Sequence, residues 1–160
     1  MADLPVNLLA AIGDVTVSWG YVQNLMDVAI WGMLGLTVKD GNSRTAPFSY
    51  RRRMELLRRT GRHFFQDRQE LLAEFNSLVA TIDDQYRKRN EVEHSTWQYL
   101  GGMSVRVRML ADASIEPQFK TAKDVDAVAQ DIIRLVMSLN QFTEAYIPPP
   151  KSPAARNSTP

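Results

Sequence analysis

The chain contains no cysteine. That absence excludes a disulfide framework, a thiolate metal site and a cysteine nucleophile together. Histidine is nearly as scarce, with only His63 and His94 present. No histidine and carboxylate pair shares a helix face at metal-ligand spacing. No glycine-rich phosphate loop and no nucleophile-elbow pentapeptide occurs. No cofactor and no metal is therefore expected. The formal net charge is only +1, so attraction to nucleic acid has to come from a local patch. No basic region precedes the first apolar stretch, which Asp3 and Asp14 flank, so a signal peptide is not expected. The one long apolar run, from Val15 to Val38, has the length of a bilayer span. Gln23, Asn24 and Asp27 lie near its middle, where a charge is costly in lipid. The run reads as a buried helix of a cytoplasmic protein.

What is present suits one globular domain. Hydrophobic residues make up 44% and charged residues 23% of 160 residues, enough for a core and too short for two domains. Four segments have helical periodicity. In the first, Trp19, Val22, Met26, Ala29, Met33 and Leu36 step by three and four, and Gly35 with Asp40-Gly41-Asn42-Ser43 ends it in a loop. The second runs from near Pro47 to Gly61 and carries Arg51-Arg52-Arg53 and Arg58-Arg59. The third starts near Gln66 or Asp67, with Leu71, Phe75, Leu78, Ile82 and Tyr86 as its stripe. The last follows Thr121 and Asp124, spaced as a capping box, with Val125, Val128, Ile132, Leu135, Leu139, Phe142 and Tyr146 on one face. Narrow stripes on long helices suit antiparallel packing.

Before the last helix the period changes to two. Val105, Val107 and Met109 alternate with Arg106 and Arg108, and Gly101-Gly102 is a hairpin turn. Closing it sets Leu100 opposite Met103 and Trp97 opposite Arg106. One face then holds Leu100, Met103, Val105 and Val107, and the other Trp97, Tyr99, Ser104 and Arg106. The expected fold is mainly all-α: an antiparallel bundle of four main helices with a β-hairpin inserted before the last. The domain spans residues 1–147. Residues 148–160, rich in proline, serine and alanine, read as a disordered tail that folding does not need.

The densest chemistry is Arg87-Lys88-Arg89-Asn90-Glu91-Val92-Glu93-His94 at the end of the third helix. Arg89-Asn90 followed by His94 resembles the motif of HEPN domains, an arginine and a histidine separated by four to six residues. The order of elements is also similar over most of residues 15–146. Ser95 stands where many such domains have glycine. Arg87 also fits the spacing, but Arg89 continues the apolar stripe and is the preferred motif arginine, with Arg87 as an auxiliary phosphate contact. Arg58 and His63 fit too, but that match contains Gly61 and lacks the asparagine.

The resemblance implies a metal-independent endoribonuclease. The 2′-OH attacks the adjacent phosphate, with Arg89, Asn90 and His94 as catalytic residues. Arg87, Arg51, Arg52, Trp97 and Arg106 are the candidate RNA contacts. HEPN domains dimerise to face two motifs across one cleft, so a homodimer is implied, with RNA as substrate and an antitoxin or other regulator as a further partner in stress or defence. Other readings stand beside these. Arg89 could pair with Glu93, its i+4 neighbour. Arg51–Arg53 could be a solvated face, and Trp97 with Arg106 a cation–π cluster. The whole could equally be a non-catalytic RNA- or protein-binding module.

Overall fold

A computed structural model describes residues 4–100, 103–109 and 115–152, with side chains omitted at 98–100, 103–105, 107–109 and 115–119. Among the described residues the chain is mainly helical. The helices are α1 (Val6–Leu34), α2 (Val38–Thr45), α3 (Tyr50–Phe64), α4 (Gln69–Glu93) and α5 (Ala122–Tyr146). The strands are β1 (Thr96–Leu100), β2 (Met103–Met109) and β3 (Ile115–Phe119). The expected turn at Gly101-Gly102, the expected hairpin faces and the tail from Pro153 lie outside what is described. No described helix is long and apolar enough to cross a membrane. The chain divides into two compact units, each made of separate stretches of sequence.

The first unit comprises Met1–Tyr21 and Thr81–Val136. Here α1 begins well before the expected stripe, because Leu8, Ala11 and Val15 extend it backwards and are all buried with Trp19. The second half of α4 buries Ile82, Gln85 and Val92, and the first half of α5 buries Val125, Ala129, Ile132 and Leu135. Each fully buried aliphatic side chain of this kind contributes about 1.5–3 kcal/mol. The Trp19 and Tyr86 rings meet at 5.7 Å in a tilted pair. At the start of α5, the Asp124 amide donates to Thr121 Oγ1 at 3.2 Å. The Thr121 amide donates back to Asp124 Oδ2 at 2.7 Å, which closes a capping box.

The strands form one antiparallel sheet in the order β1-β2-β3. Trp97 lies opposite Arg106 and Leu100 opposite Met103, while β3 pairs along the other edge of β2 with Pro117 opposite Val107. β3 is an addition to the sequence reading. Pro117 argues against a central strand, and an edge position tolerates its missing N–H.

The second unit comprises Val22–Ala80 and Met137–Pro160. Val22, Met26, Ala29 and Ile30 of α1 are buried, as are Met54 and Leu57 of α3. An aromatic cluster fills the rest. Phe65 meets Phe75 at 5.5 Å and Phe142 at 5.6 Å, and Phe142 meets Tyr146 at 5.1 Å. α1 stops at Gly35, whose φ of 60° suits glycine. The Leu36 amide donates to the Trp31 carbonyl and the Gly35 amide to that of Gly32, the Schellman pattern.

Three expectations change in this unit. The loop expected at Asp40–Ser43 is part of α2, because Thr37 caps it: Thr37 Oγ1 accepts from the Asp40 amide at 3.1 Å and donates to its carboxylate at 2.8 Å. Gly61 does not end α3, which continues to Phe64. A Cβ at Gly61 would overlap the Phe75 ring, so the glycine permits close packing. Residues 148–152, the described start of the expected free tail, are anchored. The Lys151 amide donates to the Leu36 carbonyl at 2.9 Å, Lys151 bridges Thr37 in parallel, and the Pro148 carbonyl lies where a side chain at Gly32 would stand.

Arg53 ties α3 to α1. Its Nε donates to Asp27 Oδ1 at 2.8 Å, and its other nitrogens to the carbonyls of Thr45 at 3.2 Å and Phe48 at 3.4 Å. Asp27, the charge inside the apolar run, therefore meets a buried cation. Of the three neighbouring arginines only Arg53 turns inward, since it shares a face with the buried Met54, Leu57 and Thr60.

Candidate functional site

The last turns of α4 belong wholly to the first unit. Straight-chain Arg87, Lys88 and Arg89 suit a helix interior. Helical hydrogen bonding runs one residue past Glu93, as the His94 amide donates to the Asn90 carbonyl at 3.0 Å. β-Branched Thr96 and aromatic Trp97 then begin β1.

This ending brings the three motif residues together. Arg89 Nη1 donates to Asn90 Oδ1 at 2.9 Å and lies 3.5 Å from His94 Nε2. On an ideal helix Arg89 and His94 would be about 140° apart. His94 sits beyond the helix end, and the long arginine spans the difference. His94 is exposed, while Arg89 and Asn90 are half-buried. Arg89 Nη2 also forms an ion pair with Glu93, with the two side chains 20% and 13% exposed. Arg89 Nε and Glu93 Oε1 are buried and have no hydrogen-bond partner among the described residues. An exposed imidazole beside a guanidinium offers a proton-transfer group and an anion contact in one place.

The cations around this cluster are held by acids. Arg87 donates to Asp84 at 2.9 Å and remains exposed. Lys88 Nζ lies 3.2 Å from Asp84 and 3.4 Å from Asp131 of α5. The Asp84 hydrogen bond, reinforced by Asp131 and opposed by desolvation, raises the Lys88 pKa above the ordinary lysine range. Among the described residues no three histidine or acidic side chains come together to hold a metal.

The remaining candidates are placed differently. Arg106 is buried, with Nη1 donating to Glu91 Oε2 at 3.0 Å and to the Glu91 carbonyl at 3.3 Å. Its guanidinium, on a side chain 6% exposed, fastens β2 to α4 and presents no open face for stacking a base. Half-buried Trp97 donates its indole N–H to the Val92 carbonyl at 2.9 Å and fastens β1 in the same way. Arg51 and Arg52 are exposed on α3, in the second unit, as is His63. Glu91 and Asp84 are absent from the sequence-based candidates, although i+3 and i+4 spacing from Arg87 and Lys88 points to Asp84. Nothing in the sequence signalled the pairing of Glu91 with Arg106, fifteen residues away. No protein-family model, curated protein or solved structure matches the chain.

Proposed function

We propose that the chain is a metal-independent endoribonuclease of the HEPN type that cleaves RNA at a composite site built from two copies. The observation that carries this reading is the approach of Arg89 Nη1 to within 3.5 Å of His94 Nε2, with Asn90 Oδ1 accepting from the same guanidinium nitrogen and the imidazole exposed. One histidine takes the proton of the 2′-OH as that oxygen attacks the adjacent phosphorus. A second protonates the departing 5′-oxygen, leaving a 2′,3′-cyclic phosphate. Arg89 offsets the charge gathered on the phosphorane, and Asn90 holds the guanidinium in place. Each chain supplies one motif histidine, so the second is His94 of the partner subunit. Arg87, exposed and near this cluster, is the auxiliary phosphate contact, and Arg51 and Arg52 add positive surface for RNA. The same reading takes α1, α3, α4 and α5 as an antiparallel bundle, with the β1–β2 hairpin inserted before α5. It also takes the protein to be cytoplasmic and restrained by a regulator.

A second reading rests on the Arg89–Glu93 pair. Glu93 already neutralises Arg89 in a half-buried setting, as a non-catalytic dimeric binding module would require. Incubating the purified protein with total RNA in EDTA separates the two. The ribonuclease reading expects cyclic-phosphate ends, intact DNA, and a loss of about 10²–10⁴-fold in rate for His94→Ala. Cleavage that needs Mg²⁺ or survives His94→Ala refutes it. No cleavage by a protein that scatters light as a dimer favours the module.

A further inference from the structure

The second unit has a groove of about 680 Å³ between the end of α1 and the outer face of α3. Arg44, Arg52, Arg59 and His63 line it together with Phe48 and Phe64, and no acidic residue does. Among the described residues no carboxylate forms an ion pair with Arg44, Arg52 or Arg59. The neighbouring Arg53 shows the contrast, being committed to Asp27. One acid, Glu55, lines a smaller recess of about 190 Å³ that shares Arg52 and Arg59 with the groove. Several like charges around one concavity repel each other until an anion enters. The volume falls in the range of sites for small organic ligands, about 300–1,000 Å³.

The walls restrict the ligand further. The Arg52 guanidinium carbon lies 4.4 Å from the centroid of the Phe48 ring, a cation–π contact that keeps the charge at the groove wall. Phe64 stands edge-on to the buried Phe65 at 5.0 Å and 84°, so its position is set by the core. Met33, Leu34 and Leu56 complete an apolar lining. We propose that this groove binds a small organic anion, a flat apolar body carrying a carboxylate or phosphate. The body lies on the Phe48, Leu56 and Phe64 wall, and the head group meets the forks of Arg52 and Arg59, which match either anion. The proposal does not rest on the ribonuclease reading, since neither Arg89 nor His94 lines the groove, although Arg52 is shared with the RNA surface which that reading assigns.

The test is a titration of the full-length, isotope-labelled protein with naphthyl phosphate, naphthoate, naphthol and inorganic phosphate, followed by amide shifts. Both naphthyl anions should bind and move amides of α3 and of Met33 and Leu34. The tighter of the two identifies the head group. Arg52→Gln and Arg59→Gln, at exposed positions, should keep the melting temperature and weaken binding about tenfold or more, the scale of a lost charge-assisted contact. Arg44→Gln provides a third variant if either fails to fold. Naphthol and inorganic phosphate should each bind about tenfold or more weakly, since each lacks one half of the recognition. Equal affinity for naphthol, equal affinity for inorganic phosphate, undiminished binding by the arginine variants, shifts located elsewhere, or no binding at all would each overturn the proposal.

Discussion

Replacing Asp27 with alanine removes the only carboxylate among the described residues that meets Arg53, in a pair whose side chains are 15% and 9% exposed. The guanidinium keeps its donors to the Thr45 and Phe48 carbonyls, but its charge is left without a counter-ion. Breaking a fully buried pair costs about 3–5 kcal/mol, and the slight exposure here brings the expectation to about 2–4 kcal/mol. With a urea slope of about 2 kcal/mol per molar, the unfolding midpoint should fall by about 1–2 M. The double variant Asp27→Leu, Arg53→Met removes both charges and keeps the volume. It should recover most of the loss and remain about 1 kcal/mol short, because the two carbonyls lose their donors. The cycle of the parent chain, Asp27→Leu, Arg53→Met and the double variant, read by urea unfolding, then gives a coupling energy well above that of a surface pair. A midpoint that falls by less than about 0.5 M for Asp27→Ala, or a double variant no more stable than the single one, would refute this account of Asp27.

Four further outcomes are expected. Gly61→Ala should destabilise by about 1–3 kcal/mol, because its Cβ would overlap the Phe75 ring. Gly13→Ala should stabilise by about 0.5–1 kcal/mol, since nothing lies near its Cβ and the position is helical; thermal unfolding checks both signs. A chain ending at Ile147 should melt measurably lower than one ending at Ser152, because only the longer one keeps the Lys151 bond to Leu36; equal melting temperatures would remove the anchor from the argument. Asp124 has its pKa lowered by the Thr121 amide first and the Thr121 hydroxyl second. Its cap therefore stabilises the fold above the ordinary aspartate range and is lost as pH falls through the lowered value. The penalty of Asp124→Ala, small at this exposed position, should shrink as pH is lowered below the ordinary aspartate range when melts are compared across pH.

Long elements were legible where burial was one-sided. The three-four steps of Trp19, Val22, Met26 and Ala29 mark the buried face of α1, and the Thr121–Asp124 spacing marks the start of α5. Elements held by short-range polar contacts were harder to read. α2 is eight residues long and buries only Gly41 and Thr45, so it has no stripe, although Thr37 and Asp40 had capping-box spacing. Gly61 was ambiguous because glycine serves both to stop a helix and to let a ring approach, and the sequence does not contain the position of Phe75. The same limit applied at the candidate site. The spacing of Arg89, Asn90 and His94 was visible, and so was the option of an Arg89–Glu93 pair. Which way the guanidinium turns depends on where the helix ends, and both contacts are made. Trp97 and Arg106 look like a surface for bases in sequence because strand alternation cannot show that Val92 and Glu91 of the preceding helix accept their N–H groups.

Both compact units are discontinuous, and each waits for residues from the far end of the chain. During synthesis from the N-terminus, Leu8, Val15 and Trp19 emerge long before Ile82, Ile132 and Leu135, with which they share a unit. Phe65 and Phe75 likewise emerge long before Phe142, the ring that packs against both. Neither core is complete until α5 has been made, so the nascent chain carries two sets of apolar side chains exposed through most of its translation. Contacts this distant in sequence also slow folding, since their loops must close before burial rewards them. Until α5 has emerged, apolar side chains left exposed in this way favour aggregation over folding.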